Sequence, residues 1–240
     1  MLGMNMTTGT GLSAIGFDAD DTLWRHADFY LQAEERLVAL LAECGAREDI
    51  LRKLREVEAR NLPLYGFGVK GFTLSMTETA IEAAGGRASA ALIGEILASG
   101  RELLRHPIEI LPEVRETLTA LAGAYRLILV TRGDLFDQER KLEQSGLAGF
   151  FDAVEIVSDK NAATYARVFS RHADGPDRAM MVGNSLKSDV LPAIEAGGWG
   201  VHVPQLAVWA VEHAEPPLEA PRFRRLAHMG ELASLVAELG

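Results

Sequence analysis

Asp18, Asp20 and Asp21 stand with Thr22 in five consecutive positions, directly after the short apolar run Ala14, Ile15 and Phe17. Carboxylates packed so closely repel one another, and a hard cation is the partner best suited to offset their charge. The apolar run reads as a short strand bounded upstream by glycines and Ser13. A central strand of a parallel sheet is buried on both faces and need not alternate, and its carboxyl end is where open α/β sheets bind ligands. Asp18 is then placed to act as nucleophile and metal ligand. Asp20, on the following turn, suits general acid and base work, provided the two environments push the two pKa values apart. The bland alternative is an acidic turn after an edge strand, with Asp21 or Thr22 capping a helix.

Other strand ends carry matching chemistry. Thr131 closes Arg126–Thr131 and precedes Arg132 and Gly133, so its hydroxyl and the next backbone N–H groups face a crevice. Lys160 follows Ala153–Val157 and supplies a positive charge. Gly183-Asn-Ser-Leu-Lys-Ser-Asp189 follows Ala179–Val182, where Asn184 and Asp189 are candidates to complete a cation site and Ser185 to position a neighbour. Together these groups suit phosphoryl transfer. An attacking carboxylate and a phosphate repel, so Mg²⁺, a lysine and oriented donors must gather around them. On this reading Asp18 attacks, and Thr131 and Lys160 hold the phosphate. Asp20, protonated while substrate is bound, gives its proton to the leaving oxygen and then activates water.

The elements that hold these residues are βα units. From Leu111 onward, helices are expected at Glu113–Ala122, Asp134–Ser145, Ala162–Arg171 and Leu186–Ala196, with a last central strand at Gly200–Val203. A short segment near Arg222–Leu226 and a helix at Glu231–Leu239 follow. This alternation predicts a doubly wound parallel sheet. Between Arg25 and His106 no strand pattern occurs. Helices are expected from about Ala27 to Gly45 and over Glu48–Arg60, Thr73–Ala84 and Ala88–Leu104, with Asn61–Gly68 as a loop. The composition shift predicts a helical insert (25–106) in a core formed by 1–24 and 107–240. In Tyr65-Gly-Phe-Gly-Val-Lys-Gly-Phe72, Lys70 is a candidate substrate contact, and Tyr65 and Phe72 read alternatively as core anchors. Trp24 and Arg25 are expected at the hinge. His202 and Trp209–His213 read as packing or a surface loop.

The chain of 240 residues has 48% hydrophobic residues and a net charge of −10, which argues against general nucleic-acid binding and against anionic membrane surfaces. One cysteine, Cys44, excludes an internal disulfide and a cysteine-based zinc site, and its helical setting predicts burial. Met1–Ser13 reads as a frayed tail without a signal peptide, and no stretch matches a membrane span. The expectation is a soluble, cytoplasmic monomer or homodimer.

The four segments resemble the four motifs of the haloacid dehalogenase superfamily. Asp18-Ala-Asp-Asp-Thr-Leu matches the first, Thr131 the second, Lys160 the third, and Gly183–Asp189 the fourth. The resemblance covers about Ser13–Leu23 and Leu111–Val203, and gives the insert the position of a type-1 cap. It implies Mg²⁺ held by the Asp18 carboxylate, the Asp20 backbone carbonyl and an acidic side chain of the fourth motif. It also implies a small phosphorylated metabolite as substrate, with Thr22, Arg132, Gly133 and Lys70 as candidate contacts. Asn184 stands where the family usually has Asp, leaving Asn184 or Asp189 as the direct ligand. Asn161 stands where proline is frequent. The intact Asp18/Asp20 pair points to a phosphatase or a phosphomutase. A receiver-like phospho-aspartate protein and a degenerate, non-catalytic member are the alternatives.

Overall fold

The strand β1 (Ala14–Phe17) is fully buried and sits between two parallel neighbours, β2 (Arg126–Arg132) and β4 (Ala179–Gly183). In this computed structural model, which describes residues 11–205, 212 and 214–239, the sheet continues through β3 (Ala153–Val157), β5 (Trp199–His202) and β6 (Phe223–Arg225). The order is β3-β2-β1-β4-β5-β6, and every pairing is parallel. Chain order reverses direction across β1 and β4, so the crevice outside their carboxyl ends is the topological switch point of a doubly wound fold.

Alternate residues of the central strands feed two cores. Ile15, Phe17, Leu127, Leu129, Met180 and Val182 pack with α5 (Val114–Leu121) and α9 (Leu232–Leu239). Ala14, Ile128, Val130 and Met181 pack on the other face with α7 (Ala162–His172) and α8 (Leu191–Glu195). The segment before α8 does not continue it as a regular helix. Leu186–Val190 forms a widened turn in which the Val190 N–H reaches the Ser185 carbonyl, five residues back. Such turns bend side chains away from regular helical spacing and concentrate at functional sites.

Four helices occupy the insert: α1 (Ala27–Leu40), α2 (Arg47–Tyr65), α3 (Val69–Ala83) and α4 (Ala90–Arg105). They have their own apolar centre, including Leu37, Leu54, Phe72, Met76 and Ile96. Two adjoining strands of chain join insert to core: Arg25 N–H donates to the Glu109 carbonyl and Leu111 N–H to that of Leu23, both at 2.9 Å. Asp21, at φ 59°, accepts from the backbone N–H groups of His26 and Ala27 and so caps α1.

Several local expectations change. Asn61 to Tyr65 is helix rather than loop. Pro63 lies near the C-terminus of α2 on its exposed side, where it interrupts little, and the buried Asn61 amide donates to Ser75 on α3. Helix α3 starts four residues early, leaving only Gly66–Gly68 as the connector. Phe72 is a core anchor, but Tyr65 is 45% exposed and is not one. Cys44 is exposed, because α1 ends at Leu40 and the cysteine falls in the turn beyond it. Trp24 is fully buried and bridged to Ile110, and with Arg25 it lies on one of the two segments that join insert and core. The tail at positions 1–10 and the segment 209–213, apart from Glu212, lie outside the described residues.

Candidate active site

Asp18 leaves the end of β1 into a cavity of about 550 Å³ that runs from the sheet crevice to the inner wall of the insert. One oxygen, Oδ1, takes Lys160 Nζ, and Oδ2 takes the Thr22 hydroxyl at 2.9 Å. Lys160 extends from the loop between β3 and α7, and its ammonium also bonds Asp189 Oδ1 at 2.7 Å. Asn161 beside it caps α7, accepting from Thr164 N–H at 2.9 Å, so the residue that replaces the frequent proline has a structural task. Two buried carboxylates thus share one buried lysine. Burial pushes Asp18 up to about 7, against the pull of Lys160 and helped by Asp189. Burial also opposes the charge on Lys160, yet Asp18 and Asp189 carry it above the ordinary lysine value. The excess negative charge at Asp18 calls for a further cation.

The donor set for one is present. The terminal atoms of the Asn184 amide approach Asp18 Oδ2 at 3.2 Å and the Asp20 carbonyl oxygen at 3.3 Å, as well as Thr22 Oγ1 at 3.2 Å. On its own the amide satisfies this geometry by turning its NH2 toward the three oxygens; turned the other way, its oxygen would join the Asp18 carboxylate and the Asp20 carbonyl in a set that suits a hard divalent cation. Among the described residues no group of three His, Cys, Asp or Glu side chains is arranged for a metal. The convergence here relies instead on an amide and a backbone carbonyl. His202 Nε2, at 3.0 Å from the Asn184 carbonyl oxygen, steadies that loop from β5. Asp189 is turned the other way: Oδ1 bonds Lys160 and Oδ2 accepts from Ser185 N–H at 3.1 Å. A Cβ on Gly183 would lie 2.2 Å from the Asp189 carboxylate, so only glycine allows this close approach. Of the two candidates for direct ligand, Asn184 stands beside Asp18 Oδ2 and the Asp20 carbonyl, while Asp189 holds Lys160.

Without substrate, the Asp20 side chain is surrounded by donors that favour its ionised form. Its carboxylate accepts from Trp24 Nε1 at 2.7 Å, Gln138 Nε2 at 2.9 Å and Lys141 Nζ at 2.9 and 3.0 Å. Burial opposes the charge, and burial also brings neighbouring His26 down to about 4, so that ring is neutral at pH 7. His26, Lys141 and Gln138 pull against that desolvation and hold Asp20 well below the usual carboxylate range; at pH 7, with His26 neutral, the pull rests on Lys141 and Gln138. In this arrangement Asp20 is an ionised base. Gln138 and Lys141 belong to α6 (Leu135–Ser145) and were not singled out in the sequence, because charged residues at helical spacing ordinarily mark a solvated face.

Thr131 is buried at the end of β2 and lines the cavity, as does Arg132. Arg132 stacks over Phe67, 3.4 Å from the ring centroid, and bonds Glu212 at 2.6 Å. Glu212 in turn accepts from Ser185 at 2.6 Å and from Ser188. Three substrate candidates have other roles. Thr22 is spent on Asp18 and Asn184, and lies beneath the carboxylate rather than on the cavity wall. Gly133, at φ 147°, is covered by Gln138. The Lys70 ammonium is exposed and paired with Asp134 at 2.9 Å, tying the insert to the N-terminus of α6; Asp134 lines the cavity and Lys70 does not.

A buried carboxylate, a threonine, a lysine and an amide thus stand together at the carboxyl ends of β1, β2, β3 and β4. The family model for haloacid dehalogenase-like hydrolases matches residues 12–197, and the chain belongs to that family. It is 27% identical over 196 residues to the glyceraldehyde 3-phosphate phosphatase of Methanothermobacter thermautotrophicus, a match covering 78% of this chain and 83% of that one. A haloacid dehalogenase-like hydrolase from Xanthomonas campestris superposes with a TM-score of 0.84 at 43% identity, covering 95% of this chain and 92% of its own. The magnesium-bound hydrolase YfnB of Bacillus subtilis shares the fold at 17% identity, with a TM-score of 0.63, covering 94% of this chain and 99% of its own. The chain is therefore an α/β hydrolase with phosphatase relatives. Among the described residues, no helix is long and apolar enough to cross a membrane.

Proposed function

We propose that this protein is a Mg²⁺-dependent phosphatase acting on a small phosphate monoester, with the helical insert serving as a cap over the site. The observation that carries this reading is the setting of Asp18, held between Lys160 and Thr22 and facing the Asn184 amide and the Asp20 carbonyl. Asp18, the Asp20 carbonyl and Asn184 would hold the ion, which supplies charge neutralisation for the carboxylate and phosphate.

Asp18 Oδ attacks phosphorus, and the bond to the ester oxygen breaks, leaving an aspartyl-phosphate. Thr131 and the backbone N–H groups after it bind the phosphoryl oxygens, and Lys160 balances charge on Asp18. Asp20, ionised as found, then takes a proton from the water that displaces the phosphate from Asp18. With Lys141 and Gln138 opposing protonation of Asp20, the first displacement is best served by esters whose leaving oxygen needs little help from an acid. Aryl phosphates meet that condition.

The test is hydrolysis of 4-nitrophenyl phosphate with Mg²⁺ and with chelator, for the wild type and for Asp18→Asn. The reading expects turnover that needs Mg²⁺ and is lost in the variant. Equal turnover by folded Asp18→Asn contradicts it.

A further inference from the structure

The cavity does not end at the catalytic carboxylates. It continues along the insert, where Leu31, Leu62, Phe67 and Phe72 give an apolar lining and Glu34, Arg55 and Glu58 bring charge. Its volume of about 550 Å³ is well beyond what a bare phosphate needs and falls in the range of small-molecule sites. The leaving group of the ester must fill the remainder.

The charges on that wall do not balance internally. Arg55 lies 3.8 Å from Glu34, a loose contact, and its side chain is 45% exposed. Glu58 Oε2 is buried and has no hydrogen-bond partner. That oxygen is out of reach of the cavity, but Glu58 lines it, and a carboxylate left under-satisfied on one side gains from a cationic donor at the cavity wall. At pH 8, above the value of about 7 to which burial pushes Glu58, two carboxylates facing one guanidinium leave a net negative charge at the apolar end of the cavity. There a cation on the ligand interacts more strongly than it would in bulk water. An anionic group would meet Glu34 and Glu58 unneutralised.

Resting on the phosphatase reading, we propose that the insert wall selects a leaving group carrying a protonated amine on an apolar spacer, with Glu58 as its principal partner and Glu34 beside it. The spacer lies along the leucines and phenylalanines, and the ammonium donates to the Glu58 carboxylate. Phosphorylated amines are thereby the substrate class, in preference to phosphorylated acids or plain alkyl and aryl esters.

The test uses three aryl phosphates with similar leaving oxygens: 4-(2-aminoethyl)phenyl, 4-ethylphenyl and 4-(2-carboxyethyl)phenyl phosphate. The expected order of kcat/KM at pH 8 is amino above ethyl above carboxyl, with amino over ethyl by about tenfold for a charge-assisted contact in a partly buried site. Glu58→Gln is expected to reduce the amino-to-ethyl ratio at least severalfold, and Glu34→Gln, the second variant, to reduce it less. Calorimetric binding of the three matching arylphosphonates with Mg²⁺ reads the same preference without turnover. If no ester is hydrolysed but the aminoethyl phosphonate binds best and loses that advantage in Glu58→Gln, the phosphatase reading fails while the amine subsite stands. Equal binding and turnover of the amino and ethyl compounds, a preference for the carboxyl compound, or an unchanged ratio in Glu58→Gln overturns the proposal.

Discussion

Lys141 donates to both carboxylate oxygens of Asp20, at 2.9 and 3.0 Å, from a side chain that is only 6% exposed. The pair joins α6 to the turn after β1 and fixes the protonation state of the residue best placed for proton transfer. Removing the ammonium leaves desolvation as the dominant influence on Asp20, and desolvation raises a carboxyl pKa. In Lys141→Met the acidic limb of the pH–rate profile is expected to move to higher pH by about one pH unit or more. A profile that falls in height without moving would mean that Lys141 only holds the helix in place.

Asn184 brings an amide but no charge to the position facing Asp18 and the Asp20 carbonyl. Adding a carboxylate raises ligand charge, and cation affinity follows charge count. Asn184→Asp is expected to lower the half-saturating Mg²⁺ concentration by about tenfold, read both from activity and from Mg²⁺-dependent thermal stabilisation. An unchanged Mg²⁺ response in both measurements would remove Asn184 from the metal site.

Glu58 affects stability as well as selection. Burial pushes its pKa up to about 7, Glu34 adds to the rise, and Arg55 opposes it. Between the ordinary value near 4.5 and about 7 the folded protein holds a proton that the unfolded chain has released. Stability therefore falls as pH rises through this window. Glu58→Gln removes that loss. Its gain over wild type is expected to be about 1 to 2 kcal/mol at pH 8 and close to zero at pH 4.5, by chemical denaturation at both pH values. A pH-independent difference would show that the carboxylate is solvated in the folded state.

Lys70 and Asp134 pair at 2.9 Å, with the lysine side chain 58% exposed. Exposed pairs of this kind contribute little, so Lys70→Ala is expected to change stability by less than about 1 kcal/mol. Turnover of an aryl phosphate is expected to stay within about twofold, because Lys70 stands outside the cavity. A large rise in KM would return Lys70 to the substrate contacts.

The core of the fold was legible because buried parallel strands are short apolar runs that end abruptly in polar residues. Phe17 to Asp18, Val130 to Thr131 and Val182 to Gly183 mark both the strand ends and the crevice. Lys141 and Gln138 were hidden because α6 is read as a charged helix. A signal was nevertheless available: Leu135, Phe136 and Leu142 are the apolar residues of α6, and the first two prove exposed, so the helix must bury polar side chains. Nothing in the spacing tells which carboxylate those side chains meet, since that depends on how α6 lies across the sheet. The choice between Asn184 and Asp189 was likewise beyond the sequence. What the spacing could not show is the widened turn at Leu186–Val190, which turns Asp189 back to Lys160 and Ser185.

The central claim is that Asp18 carries the phosphoryl group, and mass spectrometry of Asp20→Asn after brief exposure to 4-nitrophenyl phosphate and Mg²⁺ tests it most directly. With the base removed, the second displacement slows and the covalent species accumulates. Acid quenching and peptide mapping are expected to find a phosphoryl group on the peptide containing Asp18, absent when chelator replaces Mg²⁺. Turnover of the aryl phosphate by this variant with no phosphoryl group on that peptide at any quench time would contradict the account.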